Sequence, residues 1–76
     1  MAVKKKSRDR DLEKTYTAKQ FIEKLRRLAD CLEKGEPFRI HLGGERLTVP
    51  ATASFSIEHE REDGKEEIEF QLKWTV

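Results

Sequence analysis

Around the dipeptide Asp63-Gly64 the chain alternates strictly. In SFSIEHEREDGKEEIEFQLKW, residues 54–74, large apolar groups and charged groups take turns on both sides of the glycine. A period of two is the pattern of a strand with one face in a core and one in water, and Asp-Gly is a strong signal for a type I′ hairpin turn. Pairing Glu62 with Lys65 sets His59 opposite Ile68, Ile57 opposite Phe70, Phe55 opposite Leu72 and Ala53 opposite Trp74, all on one inward face. Ser54, Ser56, Glu58, Glu60, Glu67, Glu69, Gln71 and Lys73 take the other. A slip of one residue would exchange the two sets, so the register is strongly specified. Such a ribbon needs a second apolar surface to cover it, and that need constrains the rest of the fold.

The segment YTAKQF supplies the start of a covering helix. Thr17 stands at the N-cap and Gln20 at the third helical position, the capping-box spacing, with Tyr16 and Phe21 placed as a hydrophobic staple. From Ala18 to Lys34 the apolar residues are Ala18, Phe21, Ile22, Leu25, Leu28, Ala29 and Leu32. On a helical wheel they span an arc of about 120°, the width of a helix lying on a core. Lys19, Glu23, Arg26, Arg27, Asp30 and Lys34 hold the opposite side and form opposite-charge pairs four residues apart. Gly35 suits the C-terminal cap, and Pro37 prevents the helix from resuming.

FRIHLGGERLTV reads as a first hairpin about Gly43-Gly44. Its pairs are Leu42 with Glu45, Ile40 with Leu47 and Phe38 with Val49, which puts Arg39, His41, Arg46 and Thr48 outward. The expected fold class is therefore α+β, in two layers. One amphipathic helix packs on a four-stranded antiparallel sheet made of two hairpins, and residues 12–16 are the candidate for a short N-terminal fifth strand. Phe55, Ile57, Ile68, Phe70, Leu72 and Trp74 are expected beneath Phe21, Leu25, Leu28 and Leu32.

Charged residues make up 41% of the 76-residue chain, but the periodic placement of its apolar residues argues against disorder. The expected organisation is a disordered basic leader over residues 1–11 and a single domain over residues 12–76. Residues 1–14 carry a net charge of +3 and the remainder −2, consistent with the overall +1. No apolar run is long enough to cross a bilayer and no signal-peptide core follows the basic start, so a membrane is not an expected partner. The single cysteine, Cys31, has no internal partner, which fits a reducing cytoplasm.

The helix stretch LRRLADCLEKG, the hairpin end RLTVP and the closing EIEFQLKW with Trp74 resemble the amphi-Trp domain proteins, small prokaryotic proteins of unknown function. The likeness runs from about Arg10 to Trp74. It implies a stand-alone domain and brings no catalytic residues to place on this chain.

The candidate interaction surface is the outward face. Register puts Glu58 opposite Glu69 and Glu60 opposite Glu67, and like charges so opposed are destabilising unless relieved. A short Pro50-Ala51-Thr52 link would bring Arg46 opposite Ser56, mixing arginine with the glutamates. The alternatives are a docking surface for a basic partner or a divalent cation, although a flat sheet lacks the enclosing loop that calcium uses. Arg39, His41 and Arg46 form a small basic cluster able to hold a phosphate or carboxylate. His59 faces inward near the hairpin tip with no polar partner expected, and Cys31 is expected to be an inert thiol on the helix flank. Trp74 is expected to close the core over Ala53.

No nucleophile set, metal-spaced cluster or glycine-rich phosphate loop is recognisable, and neither an enzyme nor a cofactor is expected. The chain reads as a cytoplasmic interaction module that engages a protein or its own copy. The alternative is a nucleic-acid accessory protein bound through Lys4, Lys5, Lys6, Arg8 and Arg10, with steep salt dependence.

Overall fold

A computed structural model describes residues 12–76. It contains one helix, α1 (Ala18–Lys34), and four strands: β1 (Phe38–Leu42), β2 (Glu45–Val49), β3 (Ser54–Glu62) and β4 (Lys65–Lys73). Both ends of α1 follow the expected chemistry. The Thr17 hydroxyl accepts from the Gln20 backbone N–H at 3.2 Å, and the Gln20 side-chain oxygen accepts from the Thr17 N–H at 3.1 Å. At the other end Gly35 takes a left-handed conformation with φ 67°, which lets the Glu36 N–H reach the Cys31 carbonyl at 2.9 Å. The left-handed geometry is costly for residues with a Cβ and free for glycine.

Both hairpins pair in the anticipated register, from Phe38 with Val49 to Leu42 with Glu45, and from Ser54 with Lys73 to Glu62 with Lys65. Asp63 and Gly64 have φ of 49° and 78°, both positive as a type I′ turn requires. The second ladder ends at Ser54–Lys73, one position short of the expected Ala53–Trp74 pair.

The α+β class holds, but the single four-stranded sheet does not. The hairpins form two separate two-stranded sheets, β1–β2 and β3–β4. Pro50, which has no N–H, follows β2 directly, and a tight turn closes when Ala53 donates to the Pro50 carbonyl at 3.1 Å. Ala53 is buried, so the chain turns into the core there instead of carrying a ladder from β2 to β3. Residues 12–16 contain no strand.

The two-layer packing is also only partly realised. Among the described residues the buried core consists of Phe38, Val49 and Ala53, with Leu28, Cys31, Ile40 and Leu72 packed against it. On the helical wheel Leu28 is one limit of the apolar arc and Cys31 lies beyond it, so α1 leans on β1 by one flank of its stripe. Arg27, expected in water, joins that flank: its guanidinium donates to the Arg39 carbonyl at 3.0 Å and lies 4.9 Å from the Phe38 ring centroid. Phe21, Ile22, Leu25 and Leu32 stay partly open. Phe55, Ile57, Ile68 and Phe70 are not covered by α1 as expected; Ile57 is 64% exposed and Phe70 59%. The second hairpin is anchored at its base through Ala53 and Leu72 and is otherwise uncovered on its apolar side. No helix among the described residues is long and apolar enough to cross a membrane.

Candidate functional site

The two faces of the β3–β4 hairpin present different chemistry, and the strand period separates them. On the polar face Glu58 pairs with Glu69 and Glu60 with Glu67, as the register anticipated. Relief comes from within the hairpin and not from Arg46, because β2 and β3 do not pair. The Gln71 amide donates to Glu58 at 2.7 Å and to Glu69 at 3.1 Å, and its oxygen accepts from Ser56 at 3.0 Å. The second relief is protonic. The negative charge of Glu58 and a hydrogen bond with it raise the Glu60 carboxyl above its ordinary value. A shared hydrogen bond with Glu69, and then its charge, raise Glu67. Like-charged carboxylates held together favour keeping a proton between them.

Glu60, Glu67 and Glu69 bring oxygens within 4.8 Å of one another. Three carboxylates on an open strand pair offer a divalent cation fewer ligands than the six to eight oxygens calcium takes, and no loop encloses them. Arg39 and His41 alternate along β1 and Arg46 lies opposite His41 on β2, so register keeps this basic cluster together. It lies on the first sheet, while the four glutamates lie on the second. The seven residues therefore do not share one sheet surface. The basic leader with Lys4, Lys5, Lys6, Arg8 and Arg10 lies outside the described residues.

His59 has the polar partner that sequence reasoning missed. Its Nε2 lies 2.6 Å from a Glu66 oxygen, and Arg61 Nε donates to the same carboxylate at 2.7 Å. These hydrogen bonds, Arg61 first and His59 second, hold the Glu66 carboxyl below its ordinary value. The signal was available in the register: Arg61 opposes Glu66, and His59 lies two residues along on the same face. All three side chains are exposed. The geometry therefore closes the tip of the apolar face with an ion cluster rather than enclosing a reacting group.

The apolar face is the larger feature. Between α1 and the hairpin run two connected grooves of about 480 and 560 Å³ that share Leu28, Phe70 and Leu72. Phe55 and Ile57 line the first with Leu32, while Ile68 lines the second with Phe21 and Leu25. Sequence reasoning named these residues as core and so did not count them as a site. Trp74 stands just past β4, partly exposed, beside Pro50 and Thr52. Cys31 is a half-buried free thiol against the core cluster.

The family model of the Amphi-Trp domain matches residues 4–76. The chain belongs to this family. The match covers the helix and both hairpins of the Amphi-Trp domain and begins at residue 4, ahead of the Arg10 start of the likeness noted in its sequence. No curated protein and no solved structure gave a significant match.

Proposed function

We propose that this Amphi-Trp domain is a non-catalytic interaction module of the cytoplasm, and that it binds protein through the open cleft between α1 and the β3–β4 hairpin. The observation that supports the reading is the exposure of Phe55, Ile57, Ile68 and Phe70, each at least half open to water on one continuous strand face. Apolar patches of this kind on a folded chain are interaction surfaces when they are rimmed by polar groups. Here the rim is the Arg61–Glu66–His59 cluster at the tip and the charged back of the hairpin. The outer glutamates keep that back in water and the bound complex soluble.

The test compares the wild-type chain with an Ile57→Glu, Phe70→Glu double variant as bait, with bound proteins identified and quantified. Wild type is expected to hold one protein, its own copy or another, in stoichiometric amount, and the variant to lose it. A wild-type chain that is monomeric and retains nothing in stoichiometric amount would refute the proposal.

A further inference from the structure

We infer that the occupant of the cleft is a second copy of this chain, with α1 of each copy laid over the β3–β4 hairpin of the other. The inference rests on the interaction reading above and names its partner.

Area argues for it first. An aromatic side chain offers about 150–250 Å². Of the residues lining the two grooves, Phe21, Phe55, Ile57, Ile68 and Phe70 are each about half exposed or more, and Leu25 and Leu32 somewhat less. At roughly 200 Å² each and half open, these side chains present about 700 Å². That exceeds the ~300–600 Å² of the largest patch on an ordinary monomer and approaches the ~800 Å² per partner of a stable interface.

Shape argues for a copy rather than a foreign chain. Each chain carries two uncovered apolar surfaces of unlike form, the ridge of a helix and the flat face of a hairpin. A two-fold axis covers both surfaces on both copies in one contact, because an isologous interface presents residue i to j and j to i. A foreign helix laid on the hairpin would fill the cleft and leave the outer edge of the α1 stripe, at Ile22, open. The chain's own leader is too polar to do it: between Met1 and Asp11 its apolar residues are Met1, Ala2 and Val3.

Charge selects which face meets the copy. The back of the hairpin carries Glu58, Glu60, Glu67 and Glu69, so two backs would repel.

Permanence argues the same way. A described core of three buried residues is small for a chain of this length, and conformational entropy opposes folding at every ordered residue. A cover that completes the core must be present whenever the chain folds, and a second copy always is.

The experiment is sedimentation equilibrium or light scattering of the purified full chain across about a hundred-fold concentration range, with melting followed over the same range. The expected mass is twice 8.9 kDa. The melting temperature should fall by several degrees on dilution, as it does when folding and association are linked. Ile57→Glu and Phe70→Glu should each raise the dissociation constant at least a hundred-fold, whereas Glu60→Gln on the back should leave the dimer intact. A monomeric mass and a concentration-independent melting temperature would overturn the inference, as would a dimer indifferent to both cleft substitutions. A monomer that still binds another protein through Ile57 and Phe70 overturns the inference and spares the interaction reading; a monomer that binds nothing ends both.

Discussion

Replacing Phe38 by alanine should be the most damaging single truncation in the described chain. Phe38 is 6% exposed, pairs with Val49 across the first hairpin and is one of the three buried residues on which α1 rests. Removing a buried phenyl group costs about 3–5 kcal/mol, part lost transfer energy and part residual cavity. The Arg27 guanidinium stacked on the ring would lose a further ~0.5–1 kcal/mol. Domains hold roughly 0.05–0.15 kcal/mol per residue, so a chain this size has on the order of 4–11 kcal/mol. With so few residues buried, its margin lies near the bottom of that range. Phe38→Ala should therefore be largely unfolded at 25 °C, and Phe38→Leu should keep the fold with a loss of about 1–1.5 kcal/mol. Thr48→Ala, on the water face of the same hairpin, should stay within about 0.5 kcal/mol of wild type. Urea unfolding followed by far-ultraviolet circular dichroism at fixed protein concentration measures all three. A Phe38→Ala chain that unfolds at the wild-type midpoint would refute the view that stability is concentrated at the contact of α1 with β1.

Three further outcomes follow from named contacts. Thr17→Ala removes the hydroxyl half of the capping box and should cost about 1 kcal/mol, or some 4–8 °C in melting temperature for a domain of this size. Arg27→Ala loses both the bond to the Arg39 carbonyl and the stack on Phe38, and should cost about 1–2 kcal/mol; Arg27→Lys should not restore the full loss, because an ammonium lacks the planar fork. The glutamates set opposed pH dependences. Glu60 and Glu67 have raised folded values, so the folded chain binds more protons than the unfolded one just above the ordinary carboxylate range, and stability falls as pH rises through that window. Glu66 has a lowered folded value, so the stability it contributes is lost as pH falls through that value. Glu60→Gln should flatten the first fall, raising the melting temperature at neutral pH and leaving it unchanged in acid, where Glu60 is already protonated. Melting curves between about pH 3 and 7 test the sign.

Local structure was legible in the sequence because local rules act alone there. The capping box at Thr17 and Gln20, the glycine stop at Gly35 and the type I′ turn at Asp63-Gly64 each depend on a few adjacent residues. Register was legible for a related reason: turn length and apolar alternation are independent signals, and in both hairpins they agree. The joint at Pro50–Ala53 was not, because whether two hairpins merge depends on the direction a turn imparts, and alternation is silent about direction. The expected mixing of Arg46 with the glutamates failed with that joint. The bond from Gln71 to Glu58 and Glu69 took its place, through a side chain that pattern reading had counted simply as polar.

Burial failed for a deeper reason. Periodicity sorts residues into two sets and says which set would gain from leaving water; it does not say that the same chain supplies the cover. Leu72 and Ile57 occupy equivalent places in the alternation, yet Leu72 packs on the core at the hairpin base while Ile57, further out, remains 64% exposed. The helix Ala18–Lys34 makes its contact with β1 through one flank, and the rest of its stripe, Phe21, Ile22, Leu25 and Leu32, stays open instead of closing over the nine-residue strand pair. The alternation in β3 and β4 continues past the point where this chain can satisfy it. Burying a large apolar side chain is worth ~1.5–3 kcal/mol, and four such groups at least half open hold back several kcal/mol that a matching surface would release. The part of the pattern that fails as a description of one chain's core is thus the part with free energy left to spend on binding, and for that reason the cleft, rather than the charged outer face, carries the functional proposal.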